Sequence, residues 1–518
     1  MLFLLFSNIQ LIHHINLSGE LKLRKIKIFF INGIILTITA IVMRCIGLVF
    51  NIAISNKIGL ESVGIFSLVM SIYLFFVTLA NSGLSMAVTY TLSEKFAENN
   101  NKLALKAIRT SILFALILGV SSGIFIIILS PYLTTIFLYN AISSNTFYLI
   151  AIGLPFIAMS SCINGYFSAV RKSYKTAFSQ VLELIIRVVL SLFLLQIAIP
   201  KSVEEICKAL ILSDVISEIV SFSYLYISYY IDKKKTYNIS IQGFRQKKKI
   251  IQIAFPIAVT SYMRSGLSTL KQLLIPTQLE KSGLSTSVAL SGYGIITGMV
   301  MPLLMFSNVL ISSFSGLLIP EISTYQAQKN NKAIHFVCNK IFYITSCFSI
   351  YVASIFLIFS EKISLIAYKN TESSLFLCIM APLIFFMYMD NVIDSILKGL
   401  NKQFSVMIYN IIDLLLTIIL IYFLLPIFGI YGYLASIFIS EIFNFCISLF
   451  QLIKTINLKI DLINWVLIPI ICSFSSYFVL IFLSFNFNNL IIDLIVCIIL
   501  FTFFYIIKIY LIKKFLIR

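Results

Sequence analysis

The chain has 518 residues, of which 60% are hydrophobic and only 11% charged, with a mean hydropathy of +1.01. A soluble fold of this length needs far more polar surface, so the composition points to a membrane protein that crosses the bilayer many times. The net charge of +19 has a simpler cause in membrane topology than in nucleic acid. No stretch interleaves basic and aromatic residues as a nucleic-acid surface does.

The first seventeen residues lack a basic start and a small-residue cleavage site, so they are not read as a signal peptide. Residues 1–28 are read as a cytoplasmic extension. From there, a hydrocarbon core about 30 Å thick asks for roughly 20 apolar residues per helix. That ruler finds fourteen spans, near 29–55, 64–91, 107–130, 145–170, 176–199, 206–230, 250–275, 288–318, 334–359, 373–397, 404–425, 429–453, 463–484 and 488–512. The expected fold is all-α.

The loops test the count. With the N-terminus cytoplasmic, the inner segments hold 29 lysines and arginines and the outer loops six. This alternation is the positive-inside rule, and it would collapse if one span were missed. Both termini are therefore expected on the cytoplasmic side of a bacterial cell membrane.

Internal matches divide the spans. Arg44 and Arg264 are 220 residues apart, as are Asn51 and Lys271. Lys57-Ile-Gly-Leu and Lys281-Ser-Gly-Leu are offset by 224. Gln180-x-x-Glu183 matches Asn410-x-x-Asp413 at 230, and Ser217-Glu218-Ile219 matches Ser440-Glu441-Ile442 at 223. Two six-helix lobes in parallel follow, 29–230 and 250–455, related by a pseudo-twofold axis along the membrane normal. Residues 231–249 form a basic cytoplasmic linker, and 456–518 carry two further helices.

Cations inside the spans are the candidate binding residues. A lysine or arginine at a helix centre costs about 2.5–3.5 kcal/mol on insertion scales and usually faces a water-filled cavity or a partner charge. Arg44 and Arg264 hold matched places in spans 1 and 7. Lys271 lies seven residues beyond Arg264, on nearly the same helix face and about 10 Å further along it. These three form the candidate basic cavity, which suits an anionic passenger. Lys271, near the outer end, has snorkelling to the interface as its alternative. Candidate coupling or gating residues are Glu183, Arg187, Glu218, Asp390, Asp394 and Glu441. Glu183 and Arg187 stand i, i+4 and can close a salt bridge. Asp390, Asp394 and Lys398 stand four apart. Asp493 has no evident partner in sequence. Asn81-Ser82-Gly83 and the cluster Gly292, Gly294, Gly298 and Pro302 mark places where a helix can bend.

The nine cysteines contain no C-x-x-C pair and read as packing residues. His13 and His14 read as a solvated pair. No phosphate-loop, dinucleotide or zinc-protease motif occurs, so no cofactor or metal is expected. The outer loops are short, the most charged holding Lys201, Glu204 and Glu205. They offer no acid–base constellation of the kind an enzyme needs.

Several segments resemble the stage V sporulation protein B family of polysaccharide biosynthesis proteins. These are Ser261-Tyr262-Met263-Arg264-Ser265, Gln272-Leu273-Leu274-Ile275-Pro276, Gly298-Met299-Val300-Met301-Pro302 and Leu317-Leu318-Ile319-Pro320-Glu321-Ile322. Arg44-x-x-Gly47, Ser55-Asn56-Lys57-Ile58-Gly59 and Gly165-Tyr166-Phe167 before Arg171 belong to the same pattern, which covers about 25–515. The wider superfamily includes lipid II flippases, polysaccharide exporters and multidrug antiporters. The resemblance implies alternating access between two lobes around a basic cavity. It also implies a lipid-linked saccharide diphosphate, such as a peptidoglycan precursor, as cargo, and a place in spore cortex or envelope assembly. Lipid II flippases carry a second arginine–aspartate pair along the first helix, where this chain has Phe50-Asn51-Ile52. Drug antiporters use an acid in the first lobe, whereas the first helix here has Arg44 and no acid. The expected function is a lipid-linked saccharide flippase acting as a monomer, with membrane lipids and possible H+ or Na+ exchange as partners. A cation-coupled multidrug antiporter is the alternative. A membrane enzyme acting on lipid-linked sugars is the third reading.

Overall fold

A computed structural model describes residues 20–81, 83–97, 101–198, 202–236, 247–458, 460–483 and 489–516. The expected segments 1–28 and 231–249 therefore lie partly outside the described residues, and His13 and His14 wholly so. Among the described residues every regular element is helical. Hydrocarbon supplies no hydrogen-bond partner, so a lipid-exposed backbone must bond to itself, and the helix does this within one segment.

The first half of the chain contains α1 (Glu20–Ile58), α2 (Leu60–Asn81), α3 (Leu84–Ala97), α4 (Asn101–Ile136), α5 (Ser144–Ala169), α6 (Ser173–Ala198) and α7 (Val203–Thr236). The second contains α8 (Lys247–Lys281), α9 (Thr286–Gly294), a π-helical turn (Ile295–Val300), α10 (Met301–Phe306), α11 (Asn308–Ala327), α12 (Asn331–Tyr368), α13 (Glu372–Met380), α14 (Leu383–Gly399) and α15 (Gln403–Ile456). A second π turn (Ile463–Leu467), α16 (Ile468–Leu483) and α17 (Leu490–Leu516) follow.

Eleven helices among the described residues are long and apolar enough to cross a membrane, or twelve if α13 and α14, bent by 49°, make one span. Fourteen were expected, and two features account for the difference. The 54-residue α15 contains two expected spans, broken at Gly429 (φ 57°, ψ −133°). The expected seventh span, α8, carries Arg264, Lys271 and a row of hydroxyls, which lower its hydropathy. α8 runs through both Pro256 and Pro276. The expected second span is divided near Gly83 (φ 75°) into α2 and α3.

Packing follows the rules of apolar solvent, where small residues and polar bonds replace the hydrophobic drive between helices. Gly119 and Gly123 of α4 lie against Pro155 and Ala151 of α5, where an added β-carbon would come within 2.5 and 3.0 Å of backbone atoms. Ser179 and Ser191 of α6 bond Ser221 and Ser213 of α7 at 2.8 and 2.5 Å. Large apolar side chains such as Ile117, Val189, Phe423 and Phe503 point outward, as lipid-facing residues should.

The last two helices are fastened to α12 by polar contacts. Tyr505 Oη donates to the Cys347 carbonyl at 2.8 Å, Ser473 bonds Ser354 at 2.5 Å, and Tyr351 bonds Thr502 at 2.5 Å. Lys362 Nζ lies 2.5 Å from Asp493, whose side chain is only 6% exposed. This gives Asp493 the partner that its sequence neighbours do not provide. Lys362→Ala should lower stability by about 1–3 kcal/mol, the cost of leaving a buried charged acceptor unpaired. The apparent Tm in detergent reports this, and Asp493→Asn in the same background should recover most of the loss.

Candidate functional site

A cavity of about 500 Å³ lies between α2 and α8, and so between the two halves of the chain. From α2 it is lined by Ser71, Leu74 and Thr78, which share one helix face at i, i+3 and i+7. From α8 come Ser261, Arg264, Ser265, Ser268 and Gln272, again one face, with Thr269 at its edge. The wall is therefore hydroxyls and an amide around a single guanidinium, and no carboxylate lines it.

Hydrogen bonds between the halves set its width. Tyr262 Oη donates to the Leu79 carbonyl at 3.1 Å, Ser265 Oγ to Thr78 Oγ1 at 3.2 Å, and Thr269 Oγ1 to the Ser71 carbonyl at 3.0 Å. The Gln272 carbonyl oxygen accepts from Tyr293 at 3.2 Å. The side chains of Ser261 and Ser268 have no hydrogen-bond partner among the described residues. Arg264 is exposed in the cavity and acts electrostatically on Asp394.

The expected site residues separate into distinct places. Arg44 is exposed on α1 but is not among the residues lining this cavity. Lys271 does not line it either. It is half-buried and acts on Asp413 and Glu441 across the contact of α8 with α15. Glu183, Arg187 and Glu218 come together inside the first half. Arg187 Nη2 lies 2.6 Å from Glu183 and Nε lies 2.7 Å from Asp214, with Glu218 against Glu183. The i, i+4 pair expected from spacing is thus present, but Asp214, from α7, is its second acid.

In the second half Asp390 accepts from Asn444 at 2.9 Å, and Asp394 from Asn410 at 3.4 Å with Lys398 at 3.7 Å. Ser440 donates to Asp413 at 2.6 Å. Asn444 Oδ1 and Asp394 Oδ1 are buried with no hydrogen-bond donor. Among the described residues no group of three or more His, Cys, Asp or Glu is arranged to hold a metal ion. The halves solve the same electrostatic problem differently. Arg187 of α6 has Thr417 at its matched position, 230 residues on, and the cation whose field reaches Asp413 is Lys271 of α8.

Sequence reading did not single out the hydroxyls. Their signal was present, since Ser261, Ser265 and Ser268 recur at i, i+4 and i+7 beside Arg264, but serines in a membrane helix also pack against neighbours without any ligand. A second unforeseen cluster joins Asp232 to Lys172 at 2.5 Å, to Lys175 at 3.6 Å and to Tyr166 Oη at 3.0 Å.

These apolar helices and the cavity between their two halves define a multi-pass membrane protein with the fold of the flippase and antiporter superfamily. The model of the polysaccharide biosynthesis protein family matches residues 30–326, more than half of the chain, and the protein belongs to that family. The MatE family model matches residues 279–423. Stage V sporulation protein B of Bacillus subtilis (strain 168) is 24% identical over 471 residues, which is 88% of this chain and 90% of that protein. Among solved structures, lipid II flippase MurJ in an inward closed conformation superposes with a TM-score of 0.69 at 15% identity, covering 94% of this chain and 100% of that one. An inward-facing multidrug resistance MATE transporter gives 0.62 at 13% identity, covering 81% and 98%.

Arg187→Met should destabilise the protein by about 3 kcal/mol, because it strands buried carboxylates on two helices. Lys398→Met, where the ammonium is exposed and stands 3.7 Å from Asp394, should cost under about 1 kcal/mol. Thermal shift assays on the two purified variants compare them directly.

Proposed function

We propose that this chain is a flippase that carries an anionic, polyprenyl-pyrophosphate-linked saccharide from the inner to the outer leaflet by alternating access. The observation that carries the reading is Arg264, exposed in a hydroxyl-lined cavity between the two halves. A planar guanidinium binds phosphate oxygens through paired hydrogen bonds. The serines and Gln272 offer donors and acceptors suited to sugar hydroxyls. Family membership and the likeness to stage V sporulation protein B and to the lipid II flippase fold support the same class of cargo.

In this reading the two lobes are 29–230 and 250–455, both termini are cytoplasmic, and the polyprenyl tail stays in lipid. Arg44, on the matched helix of the first lobe, meets the diphosphate in another stage of the cycle. An inside-negative potential drives an anion outward with about 2.3 kcal/mol per charge per 100 mV. The acids around Asp390, Asp394 and Glu441, and those around Glu183 and Glu218, are the groups available to take up H+ or Na+ as the carrier resets. The chain works as a monomeric transporter and catalyses no covalent step. The link to spore cortex or envelope assembly rests on the likeness to the sporulation protein.

A multidrug antiporter shares the fold, but the cavity disfavours it. An organic cation would meet Arg264 at close range with no carboxylate on the wall.

Vesicles holding purified protein and a fluorescent polyprenyl-diphosphate sugar provide the test, with leaflet accessibility as the readout. Arg264→Ala should slow movement at least tenfold, an effect of about 1.4 kcal/mol. Arg264→Lys should restore part of it, since lysine keeps the charge but not the paired geometry. Equal movement by Arg264→Ala would remove the basis of this reading.

A further inference from the structure

In the proposed orientation, the junction of α1 with α2, the junction of α8 with α9, and the end of α12 all lie at the outer surface. There the two halves meet backbone to backbone. A β-carbon on Gly64 would stand 2.2 Å from the Leu290 carbonyl oxygen. One on Gly294 would stand 2.6 Å from the Leu60 carbonyl oxygen and 2.7 Å from the Gly64 amide nitrogen. No side chain can relieve these contacts, because the opposing atoms are main chain. Two polar bonds flank them across the halves. Ser287 Oγ donates to Glu61 at 2.8 Å, and Asn56 Nδ2 donates to the Ala367 carbonyl at 2.7 Å.

The two glycines also correspond in sequence. Gly64-Ile65-Phe66-Ser67 and Gly294-Ile295-Ile296-Thr297 are 230 residues apart, the offset that relates Glu183 to Asp413. Matched residues that touch each other must lie beside the axis relating the halves, so this contact marks the pseudo-twofold axis at its outer end. The contacts at the cavity are of another kind, since they run through the side chains of Tyr262, Ser265 and Thr269. The π turn at Ile295–Val300 begins directly after Gly294, and such turns mark places where a helix departs from regular winding.

We infer that the Gly64–Gly294 contact is the outer gate, a seal between the lobes that closes only because neither residue has a β-carbon. In lipid no hydrophobic force holds helices together, so close van der Waals contact and a few polar bonds carry the seal. Such a seal is tight when shut yet can part as a unit to release cargo. The glycines and their flanking bonds act before any cargo is recognised, and the inference rests on the proposed orientation but not on the identity of the cargo.

The test uses the full chain in intact cells, with its nine cysteines replaced and a reporter placed in the cavity by Ser268→Cys. A membrane-impermeant maleimide is added outside. With both glycines native the reporter should label slowly. Gly64→Val and Gly294→Val should each raise the labelling rate about tenfold or more, the size expected when overpacking disfavours one of two states. An unchanged rate in folded, monodisperse variants overturns the inference. A second arm needs no glycine change. Glu61→Cys with Ser287→Cys should form a disulfide on oxidation, abolish outside labelling, and regain it on reduction. Failure to cross-link, or labelling that persists in the cross-linked protein, also overturns the gate. Gln328→Cys, at the far end of the eighth span, reports sidedness. It should label only in inverted vesicles, and labelling from outside would overturn the gate's placement while leaving the cargo reading to its own assay.

Discussion

Charge inside hydrocarbon is the constraint on which this structure depends. A buried ion without a partner or water costs several kcal/mol, so each charged group in the spans must be answered by the fold. Arg187 is answered by Glu183 and Asp214, Lys271 acts on Asp413 and Glu441, and Asp493 is held by Lys362. Arg264 lies differently, exposed on a cavity wall that contains no carboxylate. It feels the field of Asp394, but its hydrogen-bond partners must come from water or from a ligand, and that makes it the centre of the functional reading.

The duplicated architecture gives this arrangement its logic. Two related halves supply two faces, and the cavity forms where α2 of one meets α8 of the other. The duplication is imperfect in informative ways. Acids recur on matched helices, as Glu183 with Asp413 and Glu218 with Glu441, but the cations that balance them do not. In the first half the cation shares α6 with Glu183, whereas in the second Lys271 reaches α15 from α8. Movement of α8 would therefore change the charge balance around Asp413, while movement of α1 would leave Arg187 and its acids together. If the proposed cycle includes ion uptake, the second half is where helix motion would reach the acids.

Much of the fold was legible in the sequence because hydropathy and loop charge are local properties. The helical class, the two-fold repeat and the i, i+4 pairing of Glu183 with Arg187 all follow from spacing along one chain. The span count was less secure. The sequence reading separates 404–425 from 429–453, which α15 joins across a break at Gly429, and it finds 250–275 as a span although α8 is polar along the face that lines the cavity. Both irregularities occur where the chain serves the site or turns sharply. Partners from distant helices, such as Asp214 for Arg187 and Lys362 for Asp493, were not legible. Nothing within ten residues of Asp493 supplies a cation at helical spacing.

By itself the sequence determined the membrane class, the helices, the internal repeat and the few cations that had to be explained, since these depend on composition and on periodicity within a segment. Only the tertiary structure decided which of those cations faces a cavity and which is neutralised. It set Arg264 among hydroxyls, turned Lys271 toward the acids of α15, left Arg44 away from that wall, and brought Gly64 onto Gly294. The physical reason is that a charge or a missing β-carbon acquires its meaning from the atoms opposite it, and those atoms lie hundreds of residues away along the chain.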